Sequence, residues 1–124
     1  MSVVLDTNAL MAPVEVDVRV FEELDRLLGE YDPVVPRAVL AELAELAGGN
    51  GEAATAASVG LDLARRECGT AAHDADYADD AVVELGRAAD YAVTSDMPLR
   101  ERLLAANVPV ISLRNGTKLE LTEP

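Results

Sequence analysis

Aromatic side chains are nearly absent: the 124 residues contain no Trp, one Phe (Phe21) and three Tyr (Tyr31, Tyr77 and Tyr91). A protein that binds single strands by stacking bases on aromatic platforms is therefore disfavoured, and the core must be built from Ala, Val and Leu. Cysteine and histidine are equally scarce. Cys68 has no second thiol to pair with and His73 is the only histidine, which excludes an internal disulfide and a structural zinc site made of the usual ligands. No apolar run approaches the roughly 20 residues needed to cross a bilayer, and Met1-Ser2 runs straight into Val3-Val4-Leu5 without a basic leader region. The expectation is a soluble, cytoplasmic chain with no membrane partner.

Positive charge is the other shortage. Twenty-three acidic side chains face 10 basic ones, for a formal net charge of -13, and Lys118 is the only Lys, the rest being Arg. Half of the residues are hydrophobic, enough apolar surface to offset the entropy of ordering and to exclude a charge-expanded disordered chain. One domain spanning 1–124 is expected from this length. The acidic, Arg-over-Lys composition suits a salt-rich, halophilic cytoplasm, because at about 1 M salt the screening length falls to about 3 Å and self-repulsion is muted.

Along the chain, Val3-Val4-Leu5 reads as a buried strand that ends at the polar Asp6-Thr7-Asn8. A loop through Pro13 is expected next, then a helix over 18–29 with Val20, Leu24, Leu27 and Leu28 on one face, stopped by Gly29. Residues 33–36 read as a strand, 37–47 as a helix opened by Pro36, and Gly48-Gly49-Asn50-Gly51 as a break. An Ala-rich helix over 53–67, a loop over 68–74, a helix over 75–90, a strand at 91–94, a helix over 98–106 and a strand over 108–113 complete the pattern. Alternating strands and helices predict an α/β fold, a three-layer α/β/α sandwich with a largely parallel central sheet.

In such sheets functional groups gather at the carboxyl ends of strands. Asp6 and Asp96, in Val93-Thr94-Ser95-Asp96, fall there, although Asp in such a position also caps helices and starts turns. On the 37–47 helix, at about 100° per residue, Glu42 lies beside the apolar stripe of Val39, Leu40, Leu43, Leu46 and Ala47, whereas Glu45 lies opposite. On the 75–90 helix Asp79 borders the stripe of Ala78, Ala81, Val82, Leu85 and Ala89, and Asp80 points away. In a chain with 23 acids, such residues are equally readable as a solvated flank. His73 reads as a surface residue, Cys68 as a small helix-end residue, and Asp74 and Asp76 as favourable charges near a helix start. Arg37, Arg100, Arg102 and Arg114 are candidates for phosphate contact, with Arg37 and Arg100 foremost, and equally for pairing with surplus acids.

Leu5-Asp6-Thr7-Asn8, Val35-Pro36 followed by Val39-Leu40-Ala41-Glu42-Leu43, Tyr77-Ala78-Asp79-Asp80-Ala81-Val82-Val83 and Val93-Thr94-Ser95-Asp96 with Leu99-Arg100 together resemble the PIN-domain nucleases in order and spacing. The Tyr77–Val83 stretch and the run from Tyr91 to Ile111 resemble most the archaeal relatives of the small-subunit-processome nuclease; VapC-type toxins share the acidic skeleton, and residues 47–74 carry no resemblance. The resemblance implies that Asp6, Glu42, Asp79 and Asp96 converge on one cleft holding one or two divalent cations. Oxygen donors without His or Cys select Mg²⁺ or Mn²⁺. Asn8, Thr94 and Ser95 are expected to hydrogen-bond those carboxylates. The implied activity is metal-dependent endoribonucleolytic cleavage of RNA, in ribosomal RNA processing ahead of a toxin role, which would bring an antitoxin partner. The alternative is a non-catalytic PIN-like module that binds RNA or protein. The resemblance also implies a homodimer, for which the 53–67 helix has spare apolar surface. A receiver-type phosphate acceptor ranks low, because the only Lys is the terminal Lys118.

Overall fold

In the computed structural model, which describes residues 1–113 and 116–124, the apolar run at the amino end forms β1 (Ser2–Leu5), with Val3, Val4 and Leu5 fully buried. A parallel strand covered on both faces needs such a continuous apolar run. Its neighbours are β2 (Asp32–Pro36) on one side and β4 (Tyr91–Val93) on the other, both parallel, with Val4 opposite Val34 and Ala92. Beyond β2 lies β3 (Gly69–Ala71), and beyond β4 lie β5 (Val110–Leu113) and β6 (Leu119–Thr122). The order is β3-β2-β1-β4-β5-β6, with β6 alone antiparallel. Strand order therefore reverses between β1 and β4, which opens a crevice at their carboxyl ends. The expected α/β fold with a largely parallel sheet is present.

Among the described residues, six helices connect the strands. α1 (Thr7–Glu15) and α2 (Val20–Leu28) follow β1, α3 (Arg37–Ala47) and α4 (Gly51–Glu67) follow β2, and α5 (Ala78–Gly86) and α6 (Met97–Ala105) flank β4. α1 packs against α2, α3 and α4, and α3 packs along α4. α5 lies over β1, β2 and β4 and touches both α6 and α3. No helix among the described residues is long and apolar enough to cross a membrane.

Three local expectations differ from the structure. The segment through Pro13 is helical, because the Asp6 side chain caps α1 at Ala9 and because Ala9, Leu10 and Met11 are buried; packing outweighs the one backbone hydrogen bond that proline removes. The helix placed at 75–90 shrinks to Ala78–Gly86, since the amides of Asp74 and Ala75 are bound by Glu84 in a loop rather than entering a helix. The loop at 68–74 contains β3, paired with β2 from Val34 opposite Gly69 to Pro36 opposite Ala71.

Gly60 shows what an isolated stretch of sequence conceals. A glycine in the middle of a helix costs about 1 kcal/mol against alanine, yet here α4 presses so closely on α1 that a Cβ at Gly60 would lie 2.6 Å from the carbonyl oxygen of Leu10. Backbone cannot yield as a flexible side chain can. Gly60→Ala is expected to lower stability by about 2 kcal/mol despite the gain in helix propensity, measured by urea denaturation; a stabilised variant would contradict this contact.

Candidate active site

Three of the four candidate acids are delivered by helix starts that follow the sheet's carboxyl edge. Asp6 is the N-cap of α1 and accepts the N–H of Ala9 at 2.7 Å. Asp96 is the N-cap of α6, accepting from Leu99 at 3.1 Å. Asp79 stands in the first turn of α5. Each carboxylate thus faces the positive end of a helix, so capping and membership of an acidic site are compatible duties for one side chain. Glu42 comes from α3, on an exposed position.

Asp6 differs from the others by its burial. It is only 3% exposed and, with Thr94, makes up the buried polar residues of the described chain. The Thr94 hydroxyl donates to Asp6 Oδ2, but no basic side chain among the described residues pairs with it. Burial is the largest influence and pushes the Asp6 carboxyl up to about 7; the Thr94 and Ala9 hydrogen bonds oppose this, and the fields of Asp79 and Asp96 add to it. The Asp79 carboxyl is raised as well, first by desolvation, then by Asp96 and Glu42, with Arg102 acting in the opposite sense. Asp6, Asp79 and Asp96 therefore act on one another electrostatically, and Glu42 acts on Asp79.

The surrounding polar groups divide unequally. Thr94 is fully buried and central: its Oγ1 donates to Asp6 and accepts the N–H of Asp96 at 3.1 Å. Asn8 and Ser95, expected on carboxylates, do something else. Asn8 Oδ1 accepts the Ser95 N–H at 3.0 Å, and Ser95 Oγ accepts the Leu113 N–H at 2.8 Å. They tie the ends of β1, β4 and β5 together, because backbone donors left over at strand ends need acceptors. Thr7, beside Asp6, keeps a buried hydroxyl oxygen that has no partner among the described residues.

The arginines separate too. Arg37 is exposed at the start of α3. Arg100 donates to Thr122 Oγ1 at 3.1 Å, bracing α6 against β6. Arg102 holds Asp80 at 2.7 Å and its guanidinium lowers the Asp79 carboxyl, while Asp80 raises it. Arg114 lies outside the described residues. His73, read from sequence as a surface residue, is half-buried and accepts the Ala38 N–H at 2.9 Å; no local spacing announces a bond across 35 positions. Cys68 is the C-cap of α4, its thiol pushed up to about 12 by burial and hence inert at neutral pH.

Among the described residues, no three His, Cys, Asp or Glu side chains form a ready cage for an ion. The donor set nevertheless has the chemistry of a hard-cation site: carboxylates only, one of them buried and raised by its acidic neighbours. A cavity of about 680 Å³ lies elsewhere, at the amino ends of β1 and β2 between Met1, Tyr31, Asp32 and Glu67. A smaller apolar one of about 110 Å³ sits behind Asn8 and Ser95. None of the four acids lines either cavity.

The model of a family described as "PIN like domain" matches residues 3–116. Among solved structures, that of the PIN domain endonuclease Utp24 superposes with a TM-score of 0.81 at 24% identity, covering 99% of this chain and 92% of that one. A domain of a functionally unknown protein from Methanocaldococcus jannaschii DSM 2661 superposes with a TM-score of 0.62 at 17% identity, covering 99% of each chain. No curated protein matches the sequence.

The folded chain holds the Asp6 proton up to about pH 7, whereas an ordinary Asp loses it near 3.8. Between those values the folded state carries the extra proton, so stability falls as pH rises through this window. In metal-free buffer Asp6→Asn, which retains the cap and removes the charge, is expected to be more stable than the parent by on the order of 2 kcal/mol at pH 8 and nearly equal at pH 4. Thermal melts at the two pH values check this; a less stable variant at pH 8 would contradict it.

Proposed function

This chain belongs to the PIN-like domain family, and on that premise we propose that it is a divalent-metal-dependent endoribonuclease whose metal centre is formed by Asp6, Asp79, Asp96 and Glu42. The observation that carries this reading is the buried Asp6 carboxylate, unpaired with any basic group among the described residues and raised further by Asp79 and Asp96. Negative charge concentrated at such a cost to folding calls for a cation.

Asp6 and Asp96 are the first ligands, with Asp79 beside them. Mg²⁺ or Mn²⁺, one ion or two, would supply Lewis-acid stabilisation of the phosphodiester's developing charge and a more acidic water. Thr94 fixes the Asp6 carboxylate through its hydroxyl and the Asp96 backbone through its oxygen, so the two ligands keep a constant relation. Glu42, exposed and solvated, is the group free to orient the attacking water or to complete the ligand set. Asp79, Asp96 and Glu42 are all exposed, which suits a long polymer laid across a surface better than a small molecule enclosed in a pocket. Tyr77, 75% exposed and directly before α5, offers one face for a base.

Ribosomal RNA processing is the favoured role. Its support is the resemblance of Tyr77–Val83 and of the run Tyr91–Ile111 to the processome branch, together with the likeness of fold to a PIN domain endonuclease. The net charge of -13 opposes loose binding of RNA at low salt and favours a protein that works in a salt-rich cell.

With a structured RNA and Mn²⁺, the purified chain is expected to cut internally, to stop on chelation, and to retain activity in molar KCl. Asp6→Asn and Asp96→Asn should each lower the rate by about 100-fold or more. Wild-type rates in both variants, from preparations free of contaminating nuclease, would sink the catalytic assignment, and growth arrest on expression would move the role toward a toxin.

A further inference from the structure

The chain's one histidine is built into the join between two acid-bearing helices. His73 stands on the loop between β3 and α5; its Nε2 accepts the Ala38 N–H at 2.9 Å, and its Nδ1 lies 2.9 Å from the Ala75 carbonyl oxygen. An amide N–H can only donate, so Nε2 is the bare nitrogen and Nδ1 carries the proton given to Ala75. One neutral tautomer satisfies both contacts.

Ala38 is the second residue of α3, where a helix leaves its backbone donors without partners. Pro36 stands at the capping position and makes no side-chain capping bond. His73 thus supplies from a distant loop the acceptor that a Ser or Asp cap supplies locally. The same loop is fastened at its other end. Glu84 of α5 accepts the Asp74 N–H at 2.8 Å and the Ala75 N–H at 3.0 Å. Ala75 is therefore gripped twice, its carbonyl by His73 and its amide by Glu84, and the loop is a strut from α3 to α5. Glu42 follows Ala38 by four residues on α3, and Asp79 precedes Glu84 by five on α5. The two helices touch, and Glu42 acts electrostatically on Asp79.

We propose that His73 is a positioning residue for the acidic site: through Ala38 and Ala75 it sets the separation of Glu42 and Asp79. This rests on the nuclease reading, in which those carboxylates serve one metal centre. It assigns no contact between His73 and substrate or metal.

The test titrates Mn²⁺ calorimetrically into the full chain and follows hydrogen exchange at the Ala38 amide by NMR in metal-free buffer. His73→Ala is expected to bind Mn²⁺ about tenfold more weakly and to lose protection at Ala38. His73→Gln, whose Oε1 can take the place of Nε2, should recover both. His73→Phe keeps the bulk of the ring without the acceptor, carries the same expectation as the truncation, and answers for it if His73→Ala does not fold. Gly60→Ala, which disturbs α1 against α4 instead, should lower the melting temperature and leave Mn²⁺ affinity unchanged. Parental affinity in His73→Ala or His73→Phe alongside an unprotected Ala38 amide would overturn the proposal while the nuclease reading stands. A parent chain that binds no Mn²⁺ would overturn the nuclease reading and this proposal with it, whatever the exchange at Ala38 shows.

Discussion

A buried carboxylate sits at the point where the sheet reverses its strand order, and the other candidate acids are arranged around it. Asp6 directly follows β1, the strand whose Val3, Val4 and Leu5 are wholly buried, so its side chain cannot retreat to water without moving the centre of the sheet. The fold compensates only in part, with the Thr94 hydroxyl and the Ala9 amide. Desolvation still dominates. A group that strains the folded state in this way is the type of feature that selection for stability alone would remove.

Around that carboxylate the support is graded. The ends of β1, β4 and β5 are stitched by Thr94, Asn8 and Ser95 into a polar floor with short, mutually dependent bonds. Such a network holds Asp6 and Asp96 in a fixed relation because each group that moves leaves another donor or acceptor unsatisfied. Asp79 and Glu42 stand on helices rather than on the floor, and their relation depends on how α3 and α5 meet. The two halves of the site are therefore held by different parts of the chain, strand ends for one and a loop strut for the other.

Net charge is distributed in keeping with this division. Several arginines are occupied by acids on the surface, as in Arg26 with Glu23, Arg66 with Asp62 and Arg102 with Asp80. Exposed pairs of this sort contribute little to stability individually. Arg26 does more, since it also donates to the Leu119 carbonyl while Glu23 accepts the Leu119 N–H, fastening the antiparallel β6 to α2. Near the quartet Arg102 exerts an opposing field on Asp79 and is paired with Asp80.

The sequence by itself determined the alternation of strands and helices, the parallel sheet, and the arrival of Asp6 and Asp96 at strand ends, because each follows from local periodicity and from chain direction. Helical spacing also separated Glu42 from Glu45 and Asp79 from Asp80, since which face of a helix a residue occupies is a matter of counting. It did not reveal α1 through Pro13, the short β3, or the need for Gly60, all of which depend on packing partners far along the chain. The duties of Asn8, Ser95 and His73 were likewise hidden: their partners Ser95, Leu113 and Ala38 are brought near only by folding. Only the tertiary structure decided that Asp6 is buried and the other three acids exposed, because desolvation is a property of everything packed around a group and leaves no mark on the group's own neighbours in sequence.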